Sequence, residues 1–575
     1  MSGGAETRWI VVGREGAAFV AVRLRADRSE IARTSIEPSA WGRWVAAREA
    51  ADAPRWVWHD TSVRYAELLA EGVRVGRCHD LRLAHAILRH AAAVPDDTHV
   101  RGDARWDAAP GPAESAAAPA LFDLDDERLR AEGAPPSIAD ALAEFAAQHE
   151  ALARAASGRL ELLVAAESAG ALVAAEMRTA GLPWDASAHE RILAEVLGER
   201  VPGALPRHLE AAARRVREAL GDPSLSLDSP AKLLRGLRRA GILVESTSRW
   251  ELASQRHPAI EPLLEYKKLA RLQSANGWTW LREWVVDGRF RPVYIPGGVV
   301  TGRWASAGGG ALQLPRQLRA AVRADPGWTL VVADVAQLEP RVLAAMSRDL
   351  ALAEAARGRD LYEGIVASGA VATRADAKLA LLGAMYGATT GESGRLLPRL
   401  RRTYPRAMGL VDAAARDGED GALVSTWLGR TSPAPTPDWQ RLQARATELE
   451  ATSAEQSRAR SWARERGRFT RNFVVQGTAA EWALAWLADL RGRLATFEQV
   501  DAAAGAPRSG ALFSRRAHIA FFLHDEVIVH APAAQAERAA EALRQSAQAA
   551  GELLFGSFPV DFRLDVRIGQ TAAKD

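Results

Sequence analysis

The segment Phe521-Phe522-Leu523-His524-Asp525-Glu526-Val527-Ile528-Val529 sets the tightest condition on how this chain can fold. A histidine and two adjacent carboxylates stand between wholly apolar, β-prone runs, the composition of strands buried within a sheet. A buried ionised carboxylate is expensive unless a cation or hydrogen bonds offset it. Far upstream, Leu330-Val331-Val332-Ala333-Asp334 repeats the pattern of an apolar strand ending in Asp. Two strands that each bring an Asp to one place make a site for Mg²⁺, a hard cation that prefers oxygen ligands. Phosphoryl transfer is the chemistry such a pairing suggests.

A chain of 575 residues exceeds what one core supports, so two or more domains are expected. Its 48% hydrophobic and 25% charged residues fit a soluble globular protein. No apolar stretch approaches the roughly 18 residues of a membrane span, and no membrane partner is expected. Met1 to Arg8 lacks the apolar core of a signal peptide, which points to the cytoplasm. The single Cys78 excludes an internal disulfide framework and a Cys-based zinc site. The net charge of +3 and the many clustered arginines leave room for basic surfaces that suit a polyanion. A GC-rich genome accounts for that composition equally well.

Residues 1 to about 95 read as mixed α/β, with strands at Trp9-Val12, Ala18-Val22 and Arg55-Asp60 and a helix near Val63 to Glu71. Val94 to Pro119 lacks periodicity and reads as a long loop or linker. Ile138 to Gly181 is helical, broken near Ser157-Gly158, and Gly181-Leu182-Pro183-Trp184 marks a domain boundary. Residues 185 to 290 are mostly helical, and 290 to 575 alternate strands and helices. Thr431 to Asp438, with its prolines, reads as a loop.

Four constellations carry chemistry. Asp334-Val335-Ala336-Gln337-Leu338-Glu339-Pro340-Arg341 puts a carboxylate at a strand-to-helix junction, with Pro340 confining the helix start to its first turn. Arg374, Lys378, Leu382 and Tyr386 recur every fourth residue before Gly387. Each step drifts only about 40° around a helix, so they share a face that can meet a triphosphate and a base. Taken alone, that face is equally a solvated amphipathic helix. Arg468, Asn472 and Gln476 share the spacing and suit hydrogen bonds to bases or sugars, or plain helix packing. Thr301-Gly302-Arg303-Trp304, followed by Leu312-Gln313-Leu314-Pro315, is a weaker phosphate or minor-groove signal.

In this order and at these separations the segments resemble family A DNA polymerases, the DNA polymerase I group. Asp334 to Arg341 is similar to that family's D-Y-S-Q-I-E-L-R motif, Arg374 to Gly387 to R-x3-K-x7-Y-G, and His524-Asp525-Glu526 to H-D-E. Arg468 to Ala480 resembles R-x3-N-x3-Q-G-T-A-A, and Thr301-Gly302-Arg303 the T-G-R segment. Leu227-Asp228-Ser229-Pro230 and Leu264 to Ala270 resemble the thumb. The resemblance covers roughly residues 185 to 575.

It implies a multidomain α/β and α+β chain: a right-hand polymerase at 185–575, with the thumb at about 185–290 and palm and fingers at about 291–575. An RNase H-like, 3′–5′ exonuclease-type domain at 1–184 precedes it. It further implies Asp334 and Asp525 as ligands of two Mg²⁺ ions, with Mn²⁺ a substitute, and Asp334, Asp525 and Glu526 as the catalytic set. Arg374, Lys378, Leu382, Tyr386, Glu339 and Gln337 become nucleotide-binding, with Glu339 crowding the 2′ position of the sugar. Arg303, Arg468, Asn472, Gln476 and His524 become contacts to DNA. The implied partners are primer–template DNA and deoxynucleoside triphosphates, for a monomer at the cytoplasmic nucleoid, active in repair or gap filling.

Val335-Ala336, Pro340, Leu382 and Tyr362 depart from the family's usual residues. They motivate an alternative, a catalytically degenerate polymerase fold acting as a DNA-binding module. In the N-terminal region the first strands supply only Glu15, without the Asp-x-Glu that proofreading needs. Asp125-Asp126-Glu127 reads as a solvated face, and His59-Asp60 and His79-Asp80 cannot complete a nuclease site alone. The expectation is an exonuclease-like domain without activity.

Overall fold

In the computed structural model of the chain, residues 6–107, 136–200, 203–387 and 391–573 are described. The N-terminal unit is built on a five-stranded sheet with the spatial order Glu30–Ile36, Ala18–Leu24, Trp9–Glu15, Arg55–Trp58, Arg77–Asp80. The first three strands are antiparallel, while Trp9–Glu15, Arg55–Trp58 and Arg77–Asp80 run parallel. Strand alternation explains the layering, because successive side chains point to opposite faces. Ile10 and Val12 join Trp41, Trp56 and Trp58 in one core, whereas Val11 joins Val57, Leu81 and Phe145 in another. Gly13 is required where helix Ile138–Arg154 seats on the sheet, since a Cβ there would lie 2.4 Å from the Ile138 backbone.

The expected strands at 9, 18 and 55 and the helix Thr61–Ala70 are present, and the helical stretch breaks at Ser157-Gly158 as anticipated. Glu30–Ile36 was not foreseen. It is a sheet edge with polar residues facing solvent, so it carries no apolar run. The segment read as a linker from Val94 holds short helical turns at His99–Gly102 and Ala104–Asp107, and Trp106 is buried. Residues 108–119 of that segment, and Asp125-Asp126-Glu127, lie outside the described residues.

Helix Arg159–Ala180 is buried nearly all round because it serves two cores. Leu172 and Ala180 pack into the N-terminal unit, and Leu160, Leu163 and Val164 into the large C-terminal core. Arg491, from the 43-residue helix Ser453–Ala495, adds a polar joint. It donates to Glu176 at 2.7 Å and to the carbonyls of Val75 and Gly76 at 2.5 and 2.7 Å. Arg74 and Tyr65 bind the same Glu176 carboxylate, at 2.9 and 2.6 Å.

The described residues from 185 to 290 are mostly helical, as expected. Ser229 caps Pro230–Arg239 with Pro230 in the first turn, and Tyr266 donates to Asp228 at 2.5 Å, so the two thumb-like segments touch. The C-terminal half centres on a four-stranded antiparallel sheet, ordered His518–Leu523, Glu526–Pro532, Trp328–Val335, Leu564–Gly569. Glu526–Pro532 is buried at every residue, which is why its sequence lacks polar alternation. Helices Ser453–Ala495 and Ala536–Phe555 pack on this sheet. The loop read as Thr431 to Asp438 ends earlier, because Thr436 caps helix Pro437–Ala446. Among the described residues no helix is long and apolar enough to cross a membrane.

Candidate active site

Asp334 lies next to the end of strand Trp328–Val335 and is flanked across the ladders by Glu526 and Asp565. Leu523 pairs with Glu526, so His524 and Asp525 are the two-residue tip of a hairpin. His524 adopts a left-handed backbone, φ 58°, as a tight hairpin of this length requires. Asp525 N–H donates to Leu523 O at 2.7 Å, and Val335 N–H donates to Asp525 O at 2.9 Å. The second bond ties the hairpin tip to the strand end that carries Asp334. The two carboxylates thus converge: burial first, and then the field of Asp334, push the Asp525 carboxyl up to about 6. Mutual repulsion between acids is relieved by a shared cation, so this pair fits divalent metal. Among the described residues no group of three or more His, Cys, Asp or Glu side chains is assembled for a metal.

Glu526 is differently placed from the expected catalytic trio. Arg319 Nη1 donates to both of its oxygens, at 2.5 and 2.7 Å, and the pair is buried. Arg319 sits on the 3₁₀ turn Arg316–Ala321, just after the Leu312-Gln313-Leu314-Pro315 segment, and sequence reasoning passed over it. Only an acid set in an apolar run hinted that a cation or hydrogen bonds must offset it.

A cavity of about 300 Å³ lies beside Asp525, lined by Arg303, Gln337, Glu339, Leu382, Tyr386 and His524 among others. Its geometry follows from local structure. Gln337 takes a left-handed conformation, φ 51°, and starts helix Leu338–Ser347, with Pro340 in the first turn where it costs no hydrogen bond. Glu339 then accepts hydrogen bonds from Arg303 and from the Tyr386 hydroxyl. Burial and the Glu339 charge push the Tyr386 phenol well up. Gly302, φ 83°, lets the Arg303 turn approach, because a Cβ there would come 2.5 Å from Arg430 Nε. Ala479, Ala480 and Ala483 leave the space on the far wall.

Helix Arg374–Tyr386 begins with a Thr373/Asp376 capping box and ends at Gly387, φ 76°. Lys378, Leu382 and Tyr386 line one shallow cavity of about 410 Å³, as their spacing predicts. Arg374 instead donates to Asp360 at 2.7 Å and lies over the Tyr362 ring at 5.6 Å. Asp360 also accepts from Gln337 at 3.0 Å, linking the two motifs through a residue the sequence did not single out. Arg468 is exposed, and Asn472 and Gln476 are half-buried on the helix that supplies the alanines. Arg468 packs against the end of helix Arg374–Tyr386: a Cβ at Gly387 would lie 2.5 Å from its Cγ. Arg341 is wholly buried and structural, donating to Ala336 O, Ala356 O, Arg359 O and Asp561.

In the N-terminal unit the acids do other work. Asp60 caps helix Thr61–Ala70 and accepts from Arg82 at 2.8 Å. Asp80 caps Leu81–Leu88, accepting from Leu83 N–H at 2.9 Å and Thr61 N–H at 2.6 Å. Glu15 is exposed at its strand end and meets Arg33 at 3.5 Å. Next to it Arg14 and Arg64 lie over the Phe19 ring, at 4.2 and 5.0 Å, so cations gather at the end of the first strand.

A right hand with two converging carboxylates at its centre defines a class of nucleotide polymerases, and the comparisons with known proteins agree. The profile of DNA polymerase family A matches residues 207–574, and this chain belongs to that family. It is 25% identical over 413 residues to the thermostable DNA polymerase I of Thermus thermophilus, covering 64% of this chain and 44% of that protein. It is 28% identical over 348 residues to DNA polymerase I of Chloroflexus aurantiacus, covering 56% of this chain and 33% of that protein. The chain thus spans well under two thirds of these curated relatives. The fold matches the POL domain of Pol1 from M. smegmatis, solved with DNA primer-template and dNTP, at a TM-score of 0.67 and 20% identity. That match covers 100% of this chain and 96% of the other.

Proposed function

We propose that the chain is a template-directed DNA polymerase that adds deoxynucleotides to a primer 3′-hydroxyl, acting as a monomer at the nucleoid. Residues 185–575 are read as the polymerase hand, with a thumb at about 185–290, and residues 1–184 as an exonuclease-like unit without proofreading. The convergence of Asp334 and Asp525 carries the reading, because it explains why acids end two apolar strands. These two residues would hold Mg²⁺, or Mn²⁺ in its place. When bound, the ions supply Lewis-acid activation of the hydroxyl and neutralise the leaving pyrophosphate.

The remaining roles belong to the protein. Lys378, and Arg374 once released from Asp360, balance charge on the triphosphate. Glu339, held between Arg303 and Tyr386, presents a rigid wall to the sugar and excludes a 2′-hydroxyl. Leu382 and Tyr386 offer an apolar and aromatic surface to the nucleotide, and Gln337 fixes the helix that carries Glu339. Arg303, Arg468, Asn472, Gln476 and His524 follow the primer–template. Arg319 keeps Glu526 charge-paired beside Asp334, so Glu526 acts as a positioning residue. The lack of proofreading is supported by Asp60 and Asp80 being consumed as helix caps and by cations at the end of the first strand.

Primer extension on a gapped template tests this reading. Wild type should extend in Mg²⁺, Asp525→Ala should not, and a 3′-mismatched primer should stay uncut. Extension by Asp525→Ala at the wild-type rate would reject the assignment, and tight DNA binding without any incorporation would favour the degenerate module.

A further inference from the structure

The 43-residue helix Ser453–Ala495 begins well before the residues read above as contacts to DNA. Counting back from Gln476 through Asn472 and Arg468 in steps of four, the next two positions are Arg464 and Arg460. Each step advances about 6 Å along the axis and turns about 40°, so the five side chains form one slowly winding stripe. Arg460, Arg464 and Arg468 are all exposed.

The other arginines of this region are committed. Arg445 pairs with Glu455 at 2.6 Å, and Arg441 pairs with Asp438. Arg458 lies over the Trp462 ring at 5.1 Å. Arg466 donates to the carbonyls of Ala422 and Pro433, at 3.4 and 3.0 Å. Arg460, Arg464 and Arg468, by contrast, have no hydrogen-bond or ion-pair partner among the described residues. Two carboxylates are close by. Glu465 follows Arg464 but points about 100° further round the helix. Glu419 packs at Gly467, where a Cβ would lie 2.6 Å from its Cγ. Neither pairs with the stripe, and from Arg458 to Arg468 five arginines stand against one glutamate. A row of exposed, unpaired guanidinium groups fits the phosphates of a nucleic-acid strand.

The position along the helix selects the strand. Ala479, Ala480 and Ala483 line the cavity beside Asp525. At 1.5 Å per residue, Arg464 and Arg460 lie roughly 22 and 28 Å back from Ala479 along the axis. That is beyond Arg468, which packs at Gly387, just past Tyr386. There the helix is braced by Pro405–Glu419 and Pro437–Ala446, with Gln443 donating to Ala459 O at 2.9 Å. On the polymerase reading the primer ends at Asp525, so only the template continues past the nucleotide face of Leu382 and Tyr386. We propose that Arg460 and Arg464 hold the phosphodiester backbone of the single-stranded template before it enters the active site, an inference that rests on the polymerase reading.

The test is a fluorescence anisotropy titration of the full chain, without nucleotide, on two primer–templates. Their 5′ template overhangs are about two and about ten nucleotides, the longer one within the span of a single-strand site. Wild type should bind the long overhang about fivefold more tightly, as two exposed charge contacts allow. Arg460→Ala with Arg464→Ala should bind both substrates alike, with the short one unchanged. On the long overhang its slope of log affinity against log salt should be shallower by about 1.4. Arg460→Lys with Arg464→Lys should keep the preference, because a phosphate accepts either cation, and Arg441→Ala should keep it too. Equal binding of the two substrates by wild type overturns the inference and leaves the polymerase reading standing. So does a preference that survives the double alanine variant, or one lost in the lysine pair or in Arg441→Ala. No binding to either substrate overturns both.

Discussion

Arg319→Met is the perturbation that most directly examines how the strand beside Asp334 is held. The Arg319 and Glu526 side chains are only 7% and 3% exposed, and one nitrogen of Arg319 serves both oxygens of Glu526. Solvent screening is therefore slight. Taking away one partner of a buried pair leaves an uncompensated charge and costs about 3–5 kcal/mol. Here the loss falls on strand Glu526–Pro532, whose first residue is registered against Asp334. A chain of several units does not unfold in one step, so a global midpoint is the wrong readout. Hydrogen exchange of the amides in Trp328–Val335 and Glu526–Pro532 reports the local opening free energy directly. Arg319→Met should lower it by the stated amount, and Glu526→Gln should lower it as well. The double variant should cost less than the sum of the two, with a coupling of about 2 kcal/mol or more, within the range for residues in one ion-pair network. Primer extension by Arg319→Met should fall with it, since Glu526, registered against Asp334, then loses the cation bound to both of its oxygens. Additive effects of the two substitutions, or an opening energy within about 0.5 kcal/mol of wild type, would refute the reasoning.

Glu339→Ala removes the shared acceptor of Arg303 and Tyr386 and should raise ribonucleotide incorporation relative to deoxynucleotide by about tenfold or more, on the scale of one charge-assisted hydrogen bond. Single-nucleotide insertion kinetics give the ratio, and an unchanged value contradicts the sugar-wall role. Burial raises the Glu481 carboxyl to about 7, although Thr426 and Leu428 donate to it. A raised folded value means that its contribution to stability is complete below the unfolded value of 4.5 and is lost as pH rises through 7. Glu481→Gln should therefore gain on wild type between those limits, by on the order of 3 kcal/mol at most, and local opening energies of the Ser453–Ala495 amides that differ between the two by the same amount from pH 5 to 8 would count against it. Asp60→Ala strips a helix cap and leaves Arg82 unpaired, so amide protection over Thr61–Ala70 should drop while primer extension persists. Loss of a nuclease activity in that variant would show that Asp60 serves catalysis.

Much of the frame was legible in the chain because its signals are local. Apolar runs marked the strands at Trp9, Trp328, His518 and Glu526, and the spacing of Lys378, Leu382 and Tyr386 gave a true helical face. Gly387 and Pro340 sit where their backbone preferences demand. The edge strands Glu30–Ile36 and Leu564–Gly569 were not legible, since a strand that faces solvent on one side of a sheet's rim needs no apolar run.

The residue types at the site were visible in the sequence, but who binds whom was decided only by tertiary structure. The sequence could show that acids end two buried strands and so require compensation. It could not show that the hairpin tip carrying Asp525 is tied to the strand end beside Asp334 while Glu526, one residue on, binds Arg319. Nor could it show that Asp60 and Asp80 spend their oxygens on helix starts, or that Arg374 closes on Asp360. Propensity and periodicity are properties of neighbours along the chain, whereas the pairing of a buried charge depends on which distant segment the fold sets against it.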